Sequence, residues 1–150
     1  MQYASPVDWK GAKDVRKFAP TLRILAKARS VGIAFMGLGV FGRGRAPIDL
    51  LGDLLDTKSP GLEEMRDRGA VGDILYHLVD KDGQSVSPEI SNLICSIGLP
   101  DLREMVQLGV QVVVIASGRR KVEIARAAIK AGYANVFIID DQLARALLNL

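Results

Sequence analysis

The chain has one cysteine, Cys95, and one histidine, His77, in 150 residues. A lone cysteine excludes an internal disulfide and a cysteine-built zinc site, and a single histidine argues against a histidine-rich metal centre. No metal and no cofactor is therefore expected. Aromatic residues are scarce, with one Trp, three Tyr and four Phe, so a core has to be built from Val, Ile, Leu and Ala. That palette suits parallel strands buried beneath helices. No apolar run reaches the roughly 18 residues of a membrane span, and the first residues show no basic segment followed by an apolar one. A cytoplasmic protein with no membrane partner is expected. Charge of one sign is also lacking: 20 Lys and Arg face 17 Asp and Glu, a net +3. The longest basic block is Arg119-Arg120-Lys121. So small a surplus does not make a nucleic-acid footprint and better fits a basic pocket for a small anion.

What is present reads as an α/β chain, and 150 residues suggest one domain over 1–150. Residues 1–10 have no regular period. From Lys10 to Ala28 the spacing is helical, with Val15, Phe18, Leu22, Leu25 and Ala26 near one face. Pro20 falls where it would break that helix or open a second one. Ile33–Met36 is a short apolar strand running into glycines. Ile48–Leu55 suits a short helix. Ser59-Pro60 suits a helix start, with Gly69 just past its end. GDILYHLVD is a β-rich run closed by Lys81-Asp82-Gly83, so a hairpin with a second strand from Gln84 is expected. Leu99-Pro100-Asp101 opens a helix ending at Gly109. A strand over Val110–Ala116, a helix over Lys121–Ala131, a strand over Val136–Ile139 and a helix over Asp141–Leu148 then follow in order. Fully apolar strands alternating with helices predict a mostly parallel, Rossmann-like sheet with flanking helices, here of about three parallel strands plus the hairpin.

Gly37-Leu-Gly39-Val-Phe-Gly42 has the letters of a dinucleotide fingerprint, but that reading needs a helix opening at the second glycine. Gly44 and Pro47 oppose one, so a flexible glycine turn at the carboxyl end of a strand is the plainer reading. Ala116-Ser117-Gly118-Arg119-Arg120-Lys121 is the better anion candidate. Its glycine lets backbone approach a ligand, and a helix N-terminus offers N–H groups. Lys121 in a first helical turn opposes the helix dipole, and a bound anion would relieve that conflict. A solvated basic loop is the competing reading. Asp73, in Gly69-Ala-Val-Gly-Asp73-Ile74, either accepts hydrogen bonds from sugar hydroxyls or caps local backbone. His77 reads as a half-exposed structural residue and Cys95 as a small buried hydrophobe. In the pair Asp140-Asp141, one carboxylate is expected to cap the last helix. No catalytic triad, phosphate-binding Walker loop or metal cluster is visible.

The segments GAVGDILYHLVDKDG and IASGRRKVEIARAAIKAGYANVFIIDDQLARALL together resemble the carboxyl-terminal sugar-binding domain of SorC/DeoR-type transcription regulators. The resemblance extends over roughly residues 20–150. It implies a fold like that of the ribose-5-phosphate isomerase, glucosamine-6-phosphate deaminase and CoA-transferase group. It also implies an effector site for a phosphorylated sugar, with Asp73 as sugar carboxylate, Lys121 beside Ser117 and Gly118 at the anion turn, and Gly37 and Gly39 lining the same cleft. The family commonly carries Ala-Gly-Gly where this chain has Ala116-Ser117-Gly118. A helix-turn-helix and a first strand with its phosphate turn are not in the chain, so it is expected to be the carboxyl-terminal part of a longer regulator. DNA would be reached only through an upstream domain, and the domain is expected to form homo-oligomers. The function expected is non-enzymatic effector sensing. The alternative is a sugar-phosphate isomerase or deaminase on the same fold, which would need an acid/base pair from Asp73, Asp140 and Lys121.

Overall fold

The computed structural model describes residues 17–40, 62–86, 88 and 94–149. Among these, helices α1 (Ala19–Arg29), α2 (Leu62–Asp67), α3 (Leu99–Gln107), α4 (Val122–Ala131) and α5 (Asp141–Leu148) accompany six strands. The strands are β1 (Ile33–Met36), β2 (Gly39–Val40), β3 (Ala70–Ile74), β4 (His77–Asp80), β5 (Gln111–Ala116) and β6 (Val136–Ile139). β1, β5 and β6 form a parallel sheet in the order β1-β5-β6, and β2, β3 and β4 form an antiparallel sheet in that order. Three parallel strands plus a hairpin is the α/β architecture the sequence pattern predicts.

The parallel sheet has two unlike faces. Met36, Val112, Val114 and Ala116 point into the core with Ile124, Ala128 and Leu143 of α4 and α5. Alternation sends Ile33, Phe35, Ile115 and Ile138 to the other face, where they are 52%, 65%, 52% and 54% exposed. Helix boundaries follow local chemistry. Pro20 sits in the first turn of α1 and Pro100 in that of α3. Gly69, Gly109 and Gly132 take left-handed φ just beyond α2, α3 and α4, where glycine has no Cβ penalty. Burying a residue such as Leu143, which is fully enclosed, contributes about 2 kcal/mol.

Several expectations need correction. The helix expected over Lys10–Ala28 is described only from residue 17: α1 begins at Ala19, Phe18 and Leu22 are largely exposed, no residue of α1 is buried, and Val15 lies outside the described residues. The run GDILYHLVD is two strands, because Leu75 and Tyr76 turn the chain with φ of 51° and 69°. Neither is a usual left-handed residue. The Asp73 carboxylate steadies the turn by accepting the Tyr76 N–H at 3.1 Å. The Asp82-Gly83 turn forms, but among the described residues the arm after it makes an isolated bridge, Val79 to Ser85, and not a strand. His77 is buried rather than half-exposed, with Nε2 3.1 Å from the Ile97 carbonyl and 3.2 Å from the Ser96 hydroxyl. Cys95 is exposed, not buried. The α-helix after β5 begins at Val122, preceded by a 3-10 turn over Arg119–Lys121, so Lys121 stands at the cap and not inside the first α-helical turn. The Ile48–Leu55 helix, the Ser59-Pro60 helix start, the irregular first ten residues and the segment around Gly42 to Pro47 lie outside the described residues.

Candidate functional site

Parallel strands deliver their following loops to one rim, and that rim is where open α/β sheets bind ligands. Here it carries Gly37 after β1, Ser117 and Gly118 after β5, and Asp140 after β6. Directly beyond Gly37, β2 leaves the parallel sheet and pairs with β3, Gly39 opposite Asp73 and Val40 opposite Gly72. A strand, not a helix, therefore opens at Gly39, which removes the structural condition of the dinucleotide reading. β2 also lies beside the 119–121 turn, so the antiparallel sheet is held against the anion candidate.

Gly39 and Asp73 fit each other closely. A Cβ on Gly39 would lie 1.7 Å from Asp73 Oδ1 and 2.6 Å from its Cγ. The carboxylate thus occupies the volume that a side chain at position 39 would need. Gly72 allows a second close approach: its Cβ would meet the Gly39 carbonyl at 2.3 Å and Ile124 of α4 at 3.1 Å. Asp73 itself is buried, 8% exposed. Burial pushes its carboxyl above the ordinary carboxylate range, while the Tyr76 N–H and the Lys121 charge partly offset that rise. A charged group with so little water around it is held in place by fixed dipoles and a nearby cation.

Gly118 takes φ +93° and ψ 142°, a region that favours glycine, and the chain then closes the 3-10 turn with Lys121 N–H donating to the Gly118 carbonyl at 3.0 Å. Space is open where side chains at Gly37 and Gly118 would stand. Arg119 and Arg120 are exposed and Lys121 half-buried. Ser117 is arranged differently from the others: its hydroxyl donates to Asp140 Oδ2 at 2.7 Å, and the Gly118 N–H donates to the same oxygen at 3.0 Å. Asp140 Oδ1 accepts the Leu143 N–H at 2.9 Å and caps α5, the role expected of one member of the acidic pair. These three donors, Leu143 foremost, hold the Asp140 carboxyl below its usual range.

The structure thus brings Gly39, Asp73 and Lys121 together, sets Gly118 at the head of the Lys121 turn, and leaves Gly37 on the same rim. The second role of Asp140 was not visible in sequence, because its partners are 22 and 23 residues away. Two surface grooves are formed by described residues, and the second borders the 119–121 turn through Arg119. One of about 550 Å³ is lined by residues including Arg68, Asp80, Glu123 and Arg126. One of about 250 Å³ is lined by Arg119, Asp141, Gln142, Arg145 and Ala146. Among the described residues no cluster of three or more His, Cys, Asp or Glu is grouped to hold a metal ion, and no helix is long and apolar enough to cross a membrane.

The sequence model of one family, described as "Putative sugar-binding domain", matches residues 13–149. The chain belongs to this sugar-binding domain family. The domain is 33% identical over 127 residues to the deoxyribonucleoside regulator of Bacillus subtilis (strain 168), covering 85% of this chain and 38% of that protein. It is 37% identical over 83 residues to the transcriptional regulator LsrR of Escherichia coli (strain K12), covering 54% of this chain and 25% of that protein. Among solved structures, a DeoR family transcriptional regulator from Listeria monocytogenes matches with a TM-score of 0.78 at 25% identity, over 97% of this chain and 56% of that one. The full-length sorbitol operon regulator SorC from Klebsiella pneumoniae matches with a TM-score of 0.75 at 22% identity, over 97% and 44%, a likeness in fold. The sugar-binding domain described here spans 25–38% of these curated relatives and about half of these structural ones.

Proposed function

We propose that this domain senses a phosphorylated sugar as the effector-binding part of a bacterial transcription regulator. The Lys121 ammonium and the backbone N–H groups of Arg119 and Arg120 take the phosphate, and Asp73 accepts hydrogen bonds from sugar hydroxyls. Gly37, Gly39 and Gly118 leave the backbone open to close approach. The observation that supports this best is the convergence of a buried carboxylate and a lysine on the rim of the parallel sheet, in a member of a sugar-binding family. Effector binding shifts the regulator between conformations that differ in grip on DNA, through a DNA-binding module outside this chain. The domain also joins the regulator's subunits into a homo-oligomer. It works in the cytoplasm and catalyses no reaction.

A thermal-shift titration tests this with ribose 5-phosphate, deoxyribose 5-phosphate, fructose 6-phosphate, glucose 6-phosphate and their unphosphorylated parents. A rise in Tm with a phosphorylated member, absent in Lys121→Ala, is expected. Ligand at a hundred times its Kd stabilises by about 2.7 kcal/mol, a readily measured shift. A folded domain that responds to none of them would overturn the proposal. Turnover of a bound member, followed by product analysis, would assign the isomerase or deaminase chemistry instead.

A further inference from the structure

β5 and β6 end in register, Ala116 opposite Ile139. The next residues along, Ser117 and Asp140, continue the pairing through side chains where the backbone ladder stops. Asp140 Oδ2 accepts both the Ser117 hydroxyl at 2.7 Å and the Gly118 N–H at 3.0 Å, while Oδ1 accepts the Leu143 N–H at 2.9 Å. One carboxylate therefore joins the head of the 117–121 turn to the first turn of α5. We infer that Asp140 is a positioning residue for that turn: it fixes the segment carrying Lys121 and does not itself touch the effector. The inference rests on the effector reading above.

The turn needs such a hold. Gly118 has the freedom of glycine, and no heavy atom lies within 4 Å of the place its Cβ would occupy, so side-chain packing does not fix it. Ser117 is itself exposed, and its bond to Asp140 is the side-chain contact that anchors it among the described residues. The carboxylate is well suited to the task. It sits at the positive end of α5 and its two oxygens already accept three hydrogen bonds, so it has little reason to swing towards an incoming ligand. The arrangement also reassigns Ser117. Its hydroxyl, the Gly118 N–H and the Lys121 N–H are engaged internally, and the donors left to an anion are the Arg119 and Arg120 N–H groups and the Lys121 ammonium. Ser117 then acts as a lock on the turn.

Asp140→Asn separates the two duties. Asn caps helices about as well as Asp, so the Leu143 N–H keeps an acceptor. The amide's NH2 cannot accept from Ser117 or Gly118. The measurement is Kd by titration calorimetry for the sugar phosphate giving the largest shift in the panel above, together with Tm and amide exchange by NMR. In D140N, binding should weaken on the order of tenfold, as when an outer support of a site is removed. Tm should stay near wild type, Gly118 should exchange faster and Leu143 should remain protected. S117A should weaken binding less, and the D140N/S117A double variant should bind no worse than D140N. Lys121→Ala should lose binding while Gly118 protection is unchanged. Wild-type affinity in D140N sinks the positioning role alone. So does an affinity loss accompanied by a lowered Tm and deprotection of Leu143, which marks a merely structural residue. A wild-type domain that binds none of the panel overturns the effector reading and this inference with it.

Discussion

The contact between Gly39 and Asp73 sets two testable limits at the scale of single residues. A Gly39→Ala methyl has no room unless the carboxylate moves, since its Cβ would lie 1.7 Å from Oδ1. Overpacking of this kind costs about 1–3 kcal/mol, and urea unfolding should show a loss of that size. The obstructing atoms are Oδ1 and Cγ, so Gly39→Ala combined with Asp73→Ala should be less destabilised than the sum of the two. Strict additivity would mean the two residues do not meet. The burial of Asp73 has a pH signature. Its folded-state pKa is raised, chiefly by desolvation. Well below the ordinary carboxylate value the group is neutral in both states, so no charge is buried. As pH rises through the raised folded value, the unfolded chain releases this proton more readily and stability falls. Asp73→Asn is free of that cost. Its Tm advantage over wild type should be near zero below about pH 4 and grow towards neutrality, even as effector binding suffers. The opposite contribution of Asp101, whose carboxyl is held low first by Arg29, is common to both proteins and cancels in the difference.

At the scale of elements, α4 illustrates how the two sheets are joined. The Tyr133 hydroxyl, one residue past the Gly132 cap, donates to the Gly83 carbonyl at the end of the hairpin at 2.7 Å, and Arg103 of α3 stacks on the same ring. Tyr133→Phe removes one buried hydrogen bond and little packing, so it should cost about 1 kcal/mol, read as a lower urea midpoint at constant slope. Elements of this half were legible in sequence because each carries its own local signal. β5 and β6 are continuous apolar runs, α3 and α4 end at glycines, and α5 is capped by one member of the acidic pair expected to supply its cap. The Leu75-Tyr76 turn was not legible, because neither residue favours positive φ and the Leu75 carbonyl is held from elsewhere in the chain by the Ser96 hydroxyl at 3.2 Å. The exposure of α1 was not legible either: periodicity shows which residues could share a face, not whether another layer covers it. At the candidate site, turn chemistry and family resemblance single out Asp73, Gly118 and Lys121, and the last two share one turn while Lys121 lies near Asp73. The Asp140 clamp depends on strand register, which single-sequence patterns do not supply.

At the scale of the whole molecule, the described residues leave part of one face of the parallel sheet open, although Val113 on that face is buried. Parallel sheets ordinarily carry helices on both faces, yet Ile33, Phe35, Ile115 and Ile138 face outward from β1, β5 and β6. Relatives that share this fold are longer: the chain covers 56% of the Listeria regulator and 44% of full-length SorC. A partly open sheet face should leave a calorimetric trace. The heat capacity of unfolding measures apolar surface newly brought into water, and surface already wet in the folded state adds nothing to it. Differential scanning calorimetry at several pH values should therefore give a heat-capacity increment below the usual figure of about 12–15 cal/mol/K per residue. A value within or above that range would show that the outer face of the sheet is dry in solution.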